Sequence, residues 1–311
     1  MLNTLKKLTI SASVVAVSAI VAAPSFAASL TNPTVSGVAG TDYYIYKQVG
    51  NQTVLDNSAP LSTVLQGNAA NPGGNVELFA NSETSNYNTL NKFKTASATS
   101  LTGQILGNPI VLSSLTYSDW FQTSSGNSTT YGAANLATTW FNANLVANGY
   151  GTLFQTNSGQ AIAALAYNTF LGNAGFQRFS DPNISYLNQD SPNSLIKIGL
   201  AGHYDATNLL SAALGPQVAP LISQLRDPSK ANSPIQMSEV VKVVYGGNTS
   251  YLYSFQATES GLTAADDGIS HSGNYEVTLP GTQAVPEPMT MLGMALGVGS
   301  LVATKRKQKN A

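Results

Sequence analysis

The sequence predicts an α+β fold, with an antiparallel β-sheet packed with a central group of helices. Three observations support this prediction: short strand-like runs between residues 30 and 115, helical periodicity in the middle of the chain, and a hairpin pattern after residue 239. A set of strands followed by helices and then by more strands indicates helices packed on an antiparallel sheet.

The first zone contains runs of β-branched and aromatic residues bounded by Gly, Asn and Pro, a pattern typical of short strands. Residues 85–95 fit either a short helix or a loop. The predicted strands cover residues 43–46, 61–65, 76–80 and 110–115.

The middle zone has helical spacing. Residues 133–148 place Trp140 and Phe141 on one apolar face. Ser158 is the predicted cap of a second helix over 158–171, which is apolar on most sides, so we expect this helix to be buried.

Two shorter helices are predicted over 205–214 and 218–225, because Gly215 and Pro216 separate them. A strand is predicted over 195–200, between the two pairs of helices.

The final zone returns to strands. Residues 239–245 and 250–257 flank Gly-Gly-Asn-Thr at 246–249, a strong hairpin signal. A last strand is predicted over 274–279.

The N-terminus has the pattern of a secretory signal peptide. Lys6 and Lys7 form a basic region, an apolar stretch follows over 8–23, and the small residues at 24–27 predict cleavage after Ala27. We therefore exclude this segment from the predicted fold. The alternative interpretation is a buried N-terminal helix.

The C-terminus combines a Pro-Glu-Pro break, a short uncharged segment over 289–304 and a basic cluster. A helix of about 15 residues spans only about 22 Å, less than the ~30 Å hydrocarbon core of a bilayer. The basic cluster predicts a cytoplasmic C-terminus with the rest of the chain outside. The residues that define this pattern are Pro286, Glu287, Pro288, Lys305, Arg306 and Lys307.

These three features resemble the PEP-CTERM sorting signal of exported bacterial proteins, and the resemblance covers residues 285–309 only. It implies that exosortase, a membrane protease-transpeptidase, recognises and removes the tail. The protein would then be tethered to the membrane by the C-terminal helix until processing, and afterwards lie at the cell surface or be secreted. An ordinary tail anchor is the alternative, and the short, glycine-containing segment argues against it.

This interpretation divides the chain into a signal peptide at 1–27, an exported domain at 28–284 and a sorting tail at 285–311. The exported domain is long enough for one large domain or two smaller parts. Signal peptidase and exosortase are the expected processing partners, and the tail before processing is the only expected contact with a membrane.

The exported domain is poor in charge. Setting aside six basic residues and one acidic residue at the two ends, it keeps 8 basic and 14 acidic residues, a net charge of −6. Nucleic-acid binding is disfavoured because no basic patch exists to neutralise phosphates. The absence of cysteine from the chain excludes disulfides and thiolate chemistry. A surface of neutral polar groups tolerates close contact with polysaccharide.

Residue patterns that carry chemistry are sparse. His203, two residues before Asp205, could serve a serine nucleophile, but no Gly-x-Ser-x-Gly elbow exists, which favours packing at a strand end or a hydrogen bond in a turn. His271 is predicted to lie in a solvated loop. A metal site made of both histidines would require the fold to bring them together.

Two acidic stretches have a weak resemblance to calcium loops. Residues 181–190 lack the required glycine and bidentate glutamate, so an Asx-turn loop is the better prediction, and Asp266-Asp267 is interpreted in the same way. The carboxylates are too scattered along the chain to nominate a glycosidase pair. Four aromatic residues could stack on sugars but are predicted to belong to the core: Trp120, Phe121, Trp140 and Phe141.

The sequence thus predicts a non-enzymatic cell-surface or extracellular-matrix protein, with no catalytic residue, metal or cofactor nominated. The first alternative is a module that binds exopolysaccharide, based on the neutral polar composition. The second alternative is a secreted hydrolase whose catalytic residues are distant in sequence.

Overall fold

The computed structural model describes residues 28–191 and 194–281. Within these ranges the fold is α+β, as predicted, with mostly antiparallel sheets and seven α-helices. None of the helices in the described ranges is long and apolar enough to cross a bilayer. The predicted signal peptide and sorting tail, with the helix at 289–304, lie outside the described residues.

The elements of the described residues are numbered in chain order. The strands are β1 Ala28–Ser29, β2 Thr31–Val35, β3 Tyr43–Val49, β4 Gln52–Leu55, β5 Gly67–Asn68, β6 Asn71–Pro72, β7 Gly74–Leu78, β8 Ser100–Ile105, β9 Asn108–Ser113, β10 Gln122–Thr123, β11 Gly126–Asn127, β12 Asn183–Gln189, β13 Leu195–Gly202, β14 Val241–Tyr245, β15 Asn248–Leu252, β16 Thr258–Glu259, β17 Thr263–Ala264 and β18 Gly273–Pro280. The α-helices are α1 Leu61–Val64, α2 Leu90–Phe93, α3 Tyr117–Phe121, α4 Leu136–Ala147, α5 Asn157–Gly172, α6 Gly175–Arg178 and α7 Thr207–Ser223, and short 3₁₀ helices cover Gly151–Phe154 and Pro228–Lys230.

Two sheets carry most of the strands. The larger has nine strands in the order β16-β18-β13-β12-β7-β3-β4-β17, with β1 also paired to β12. The smaller has five strands in the order β15-β14-β9-β8-β2. All pairings in these sheets are antiparallel except the short one between β17 and β4.

The buried apolar residues form two clusters. One combines aliphatic side chains of both sheets, such as Val76 and Ile198 from the larger sheet and Leu112 from the smaller. The other is aromatic and gathers the helices and the segments between them. Trp120, Phe121, Trp140 and Phe141 are all buried in this second cluster, which confirms their predicted place in the core.

Local sequence signals explain the helix boundaries. The Asn135 side chain accepts a hydrogen bond from the main-chain N–H of Thr138 at 3.0 Å and caps α4. Thr156 caps α5 in the same way through the N–H of Gly159 at 3.0 Å, so the prediction of Ser158 as the cap was wrong by two residues. Helix α5 buries one face only, since Leu165 is 46% exposed.

The predicted helix break and hairpin are confirmed. Gly215 has φ 70° and ψ 170°, which interrupts α7 where two helices were expected. Gly246 and Gly247 have φ 58° and 79°, a left-handed conformation that suits a tight two-residue hairpin turn. The pair Tyr245 and Asn248 closes that turn between β14 and β15.

Two predictions about the sheets were wrong. Residues 61–65 form a helical turn rather than a strand, because a turn after Pro60 buries the adjacent Val64 and Leu65 while Ser62 faces solvent. Residues 183–189, predicted to lie in an Asx-turn loop, form strand β12, which is buried along its whole length. This polar segment becomes a strand because neighbouring chains satisfy many of its polar groups, as Asn274 does for Ser185.

The aromatic cluster predicts where stability is concentrated. The ring of Phe176 contacts five aromatic rings, the nearest being Trp120 and Phe170 at 5.1 Å between centroids. We expect Phe176→Ala to lower the free energy of unfolding by about 3–5 kcal/mol, measured by urea denaturation of the full chain. The control Leu165→Ala, on the exposed face of α5, should change it by about 0.5 kcal/mol or less. Equal effects of the two substitutions would contradict this packing.

Candidate functional site

A cleft of about 390 Å³ lies where the larger sheet meets the aromatic cluster. Six of the 14 acidic residues of the exported domain line it, together with both histidines of the chain. In a domain so poor in charge, this concentration marks the cleft as the candidate site. The acidic residues are Glu77, Glu83, Asp181, Glu239, Asp266 and Asp267.

The sheet pairing brings three of these carboxyl groups together. Asn183 in β12 lies opposite Glu77 in β7, and Asp181 precedes Asn183 by two residues. The main-chain N–H of Val240 donates to the carbonyl of Phe179 at 3.1 Å, which holds the segment before β14 against the segment before β12. Glu239 and Asp181 therefore face the same cleft although 58 positions separate them in sequence.

Glu239 is held by Asn183. Its Oε2 accepts a hydrogen bond from the main-chain N–H of Asn183 at 2.9 Å, and its Oε1 accepts one from the Asn183 side-chain amide at 3.4 Å. Both bonds stabilise the ionised carboxylate. Burial acts in the opposite direction and raises the pKa of Glu239 well above its ordinary value.

Asp181 lies deeper and has fewer partners. Only 6% of the residue is exposed. Its Oδ2 accepts a hydrogen bond from the Ser82 hydroxyl at 2.5 Å, and its Oδ1 has no hydrogen-bond partner among the described residues. Burial raises the pKa of Asp181 well above the usual range, and repulsion from Glu239 raises it further. The residue therefore favours the protonated form.

Two other groups shape the polarity of the cleft. Burial raises the pKa of Glu77 to about 8, against the opposing effect of the Tyr46 hydroxyl, which donates to its Oε2 at 3.3 Å. The side-chain oxygen of Asn183, a residue that is 8% exposed, has no hydrogen-bond partner in the described chain. A protonated carboxyl in the cleft can thus donate a hydrogen bond, and the side-chain oxygen of Asn183 can accept one.

The rim of the cleft is charged. The guanidinium of Arg178 lies 2.8 Å from Glu83 in a partly exposed ion pair. Asp267 also lines the cleft, and it accepts hydrogen bonds from the hydroxyl of Ser270 and from the main-chain N–H groups of Ile269 and Ser270, the N–H bonds at 2.8 and 2.9 Å. Partial burial acts to raise the pKa of Asp267, but these bonds hold it below its usual range, so this group stays ionised.

The structure brings His203 close to a serine, as the hydrolase alternative requires. Its Nε2 lies 3.3 Å from the hydroxyl of Ser270. That hydroxyl, however, donates to the Asp267 carboxylate, so its proton points at the carboxylate rather than at the imidazole. In an activated serine nucleophile, the hydroxyl donates its proton to the imidazole. His203 lies just beyond β13, as the packing interpretation predicted.

His271 was predicted to lie in a solvated loop, and this prediction was wrong. The residue is 7% exposed, the ring of Tyr46 packs on it edge-on at 4.8 Å, and the Thr53 hydroxyl lies 2.7 Å from its Nδ1. Burial lowers the pKa of His271 to about 4, so this imidazole is neutral at pH 7.

The sequence contains three weak candidates for a metal site. Among residues 28–191 and 194–281, no three acidic or imidazole side chains are arranged to hold a metal ion. Asp266 and Asp267 lie in an exposed turn, which agrees with the loop interpretation of that stretch.

The site residues nominated from the sequence all lie outside the described ranges. They are Ala27 and the sorting-motif residues Pro286, Glu287, Pro288, Lys305, Arg306 and Lys307. Sequence reasoning missed Glu77, Asp181 and Glu239 because each is isolated in the chain. A signal did exist, since Glu77 interrupts a buried strand pattern in a domain where charge is rare.

Comparisons with known proteins identify no relative. The chain matches no family model, no curated protein and no solved structure. The cleft must therefore be interpreted from its own chemistry.

The buried carboxyls predict an unusual dependence of stability on pH. Between about pH 6.5 and 8 the folded chain keeps the proton of Glu77, whereas the unfolded chain has lost it near its ordinary pKa of 4.5. The folded state then binds more protons, so raising the pH favours unfolding by at most about 1.4 kcal/mol per pH unit for each such group. His271 has the opposite effect, because its pKa is about 4 in the folded chain and 6.5 in the unfolded chain. The unfolded state therefore binds more protons at this residue, and raising the pH favours folding, but only below about pH 6.5.

We therefore expect the free energy of unfolding to fall as the pH rises from 6.5 to 8, measured by urea denaturation of the full chain. Glu77→Gln should reduce this slope because it removes one of the titrating groups. The control Glu259→Gln changes an exposed carboxylate outside the cleft and should keep the slope. Stability that is constant or increasing over this window would contradict the burial of protonated carboxyls.

Proposed function

We propose that this chain is an exported bacterial envelope protein whose domain binds a neutral polysaccharide in the acidic cleft. Export and processing by exosortase are supported by the two ends of the chain. Binding is supported above all by one observation: Asp181 and Asn183 line the cleft, and each has a buried side-chain oxygen without a hydrogen-bond partner in the described chain. Such groups are destabilising in the empty protein and are satisfied by a polar ligand.

The groups in the cleft favour a hydroxyl-rich ligand. A sugar hydroxyl donates and accepts hydrogen bonds at once, which matches a protonated carboxyl such as Glu77 beside the unused acceptor of Asn183. Phe179, Leu209 and Met237 add an apolar part of the wall, suited to the C–H face of a sugar ring.

Other ligand classes fit less well. An anionic polymer would be repelled by the ionised Asp267 and by the net charge of −6. A metal ion would need a third ligand that the described residues do not bring together. A neutral polysaccharide is neither repelled by these negative charges nor in need of a third acidic or imidazole ligand.

The binding proposal is tested with Asn183→Ala in the full-length chain, titrated by calorimetry with soluble xylan, β-1,3-glucan and dextran. Removal of the amide acceptor should weaken binding about tenfold, since one hydrogen bond contributes about 1–1.5 kcal/mol. The matched control Asn232→Ala alters an exposed asparagine away from the cleft and should bind like the native chain. Absence of binding to every polymer, even in large excess, would refute the proposal.

The export proposal is tested on protein purified from its own host. Deletion of 286–311 should leave the domain folded, as judged by circular dichroism, but alter its localisation. The intact mass of the native protein should lack the terminal lysines, because exosortase is expected to cleave at the motif. A native protein that keeps its full tail and is extracted only by detergent would contradict processing.

A further inference from the structure

We propose that the cleft also hydrolyses a glycosidic bond of the bound polysaccharide, with Asp181 as proton donor and Glu239 as base. This inference rests on the proposed binding function and adds a reaction, the hydrolysis of the bound polymer. It departs from the expectation of a non-enzymatic protein because the fold brings together carboxyl groups that are scattered in the sequence. In this type of hydrolysis one carboxyl group donates a proton to the glycosidic oxygen, and the other removes a proton from the attacking water.

The two carboxyl groups have different surroundings, which assigns their roles. Glu239 receives N–H donors on both oxygens from Asn183, and such donors stabilise the negative charge that a base requires. Asp181 receives only the Ser82 hydroxyl and leaves Oδ1 without a partner. On a buried, neutral carboxyl, an oxygen with no other hydrogen-bond partner is what a proton donor needs.

A neighbouring charge acts on both members of the pair. Burial comes first, and repulsion from Glu83 then adds to the rise in the pKa of Asp181 and of Glu239, while Arg178 neutralises part of the Glu83 charge. Two interacting carboxyls in such a setting share a proton over a broad pH range, with one neutral and the other ionised.

The reaction is a single displacement by water. The Asp181 carboxyl proton moves to the glycosidic oxygen as the bond from that oxygen to the anomeric carbon breaks. The oxygen of a water molecule bonds to the anomeric carbon, and Glu239 takes a proton from that water. One water is consumed and two shorter chains are released. Exchange with solvent then returns Asp181 to its protonated form and Glu239 to its ionised form.

The experiment uses the full-length chain and whichever of xylan, β-1,3-glucan or dextran it binds by calorimetry. The native chain should release new reducing ends from that polymer, with a bell-shaped dependence on pH. Asp181→Asn should lower the rate about 100-fold to 10,000-fold and flatten the alkaline limb, since no proton donor remains to be lost. Glu259→Gln, an exposed carboxylate outside the cleft, should keep the native rate and profile.

Two further measurements separate a chemical role from a structural one. Asp181→Asn should still cleave the dinitrophenyl glycoside of the same sugar, because dinitrophenolate leaves without a proton. Glu239→Ala should regain activity on that glycoside when azide replaces water as nucleophile.

The outcomes distinguish the two proposals. Binding by the native chain without any new reducing ends overturns hydrolysis and leaves the binding function in place. Absence of binding overturns both. Native rates in Asp181→Asn would also overturn hydrolysis, because the reaction would then not depend on the assigned donor.

Discussion

The buried strand Asn183–Gln189 is the constraint on which the rest of the structure depends. It lies inside the nine-stranded sheet and is buried along its whole length, although five of its seven residues carry polar side chains of the amide or hydroxyl type. Its first residue, Asn183, pairs with Glu77 on one side and binds the carboxylate of Glu239 with its main chain and side chain. The pairing that completes the sheet is thus also the pairing that assembles the cleft.

The aromatic cluster supports this arrangement from the other side. Helix α6 directs Phe176 into the cluster, and its last residue, Arg178, reaches the cleft rim. Phe179 packs on Trp140 at 4.8 Å and also lines the cleft, while the indole of Trp120 donates to Ser180, the neighbour of Asp181, at 2.7 Å. A rigid core therefore positions the carboxyl groups. The burial that raises their pKa also destabilises the folded state. Such opposition is typical of functional sites.

Much of the fold was predictable from the sequence, because its signals are local. The glycine turn at 246–247, the break at Gly215 and the apolar face of α4 depend on near neighbours, and these predictions were confirmed. The strand at 183–189 was missed because its polar residues become buried only when distant partners such as Asn274 and Ser29 satisfy them. The cleft was missed for the same reason: Glu77, Asp181 and Glu239 meet through sheet pairing between distant segments, which no short window of sequence contains.

The central claim is that this cleft holds protonated carboxyl groups at neutral pH, ready to meet a polar ligand. The most direct measurement is a ¹³C NMR titration of the side-chain carboxyl carbons in the full-length protein. Glu77 should titrate with a midpoint near pH 8, and Asp181 should titrate well above the usual range of aspartate. Titration of both groups near pH 4, with the fold intact, would contradict the account.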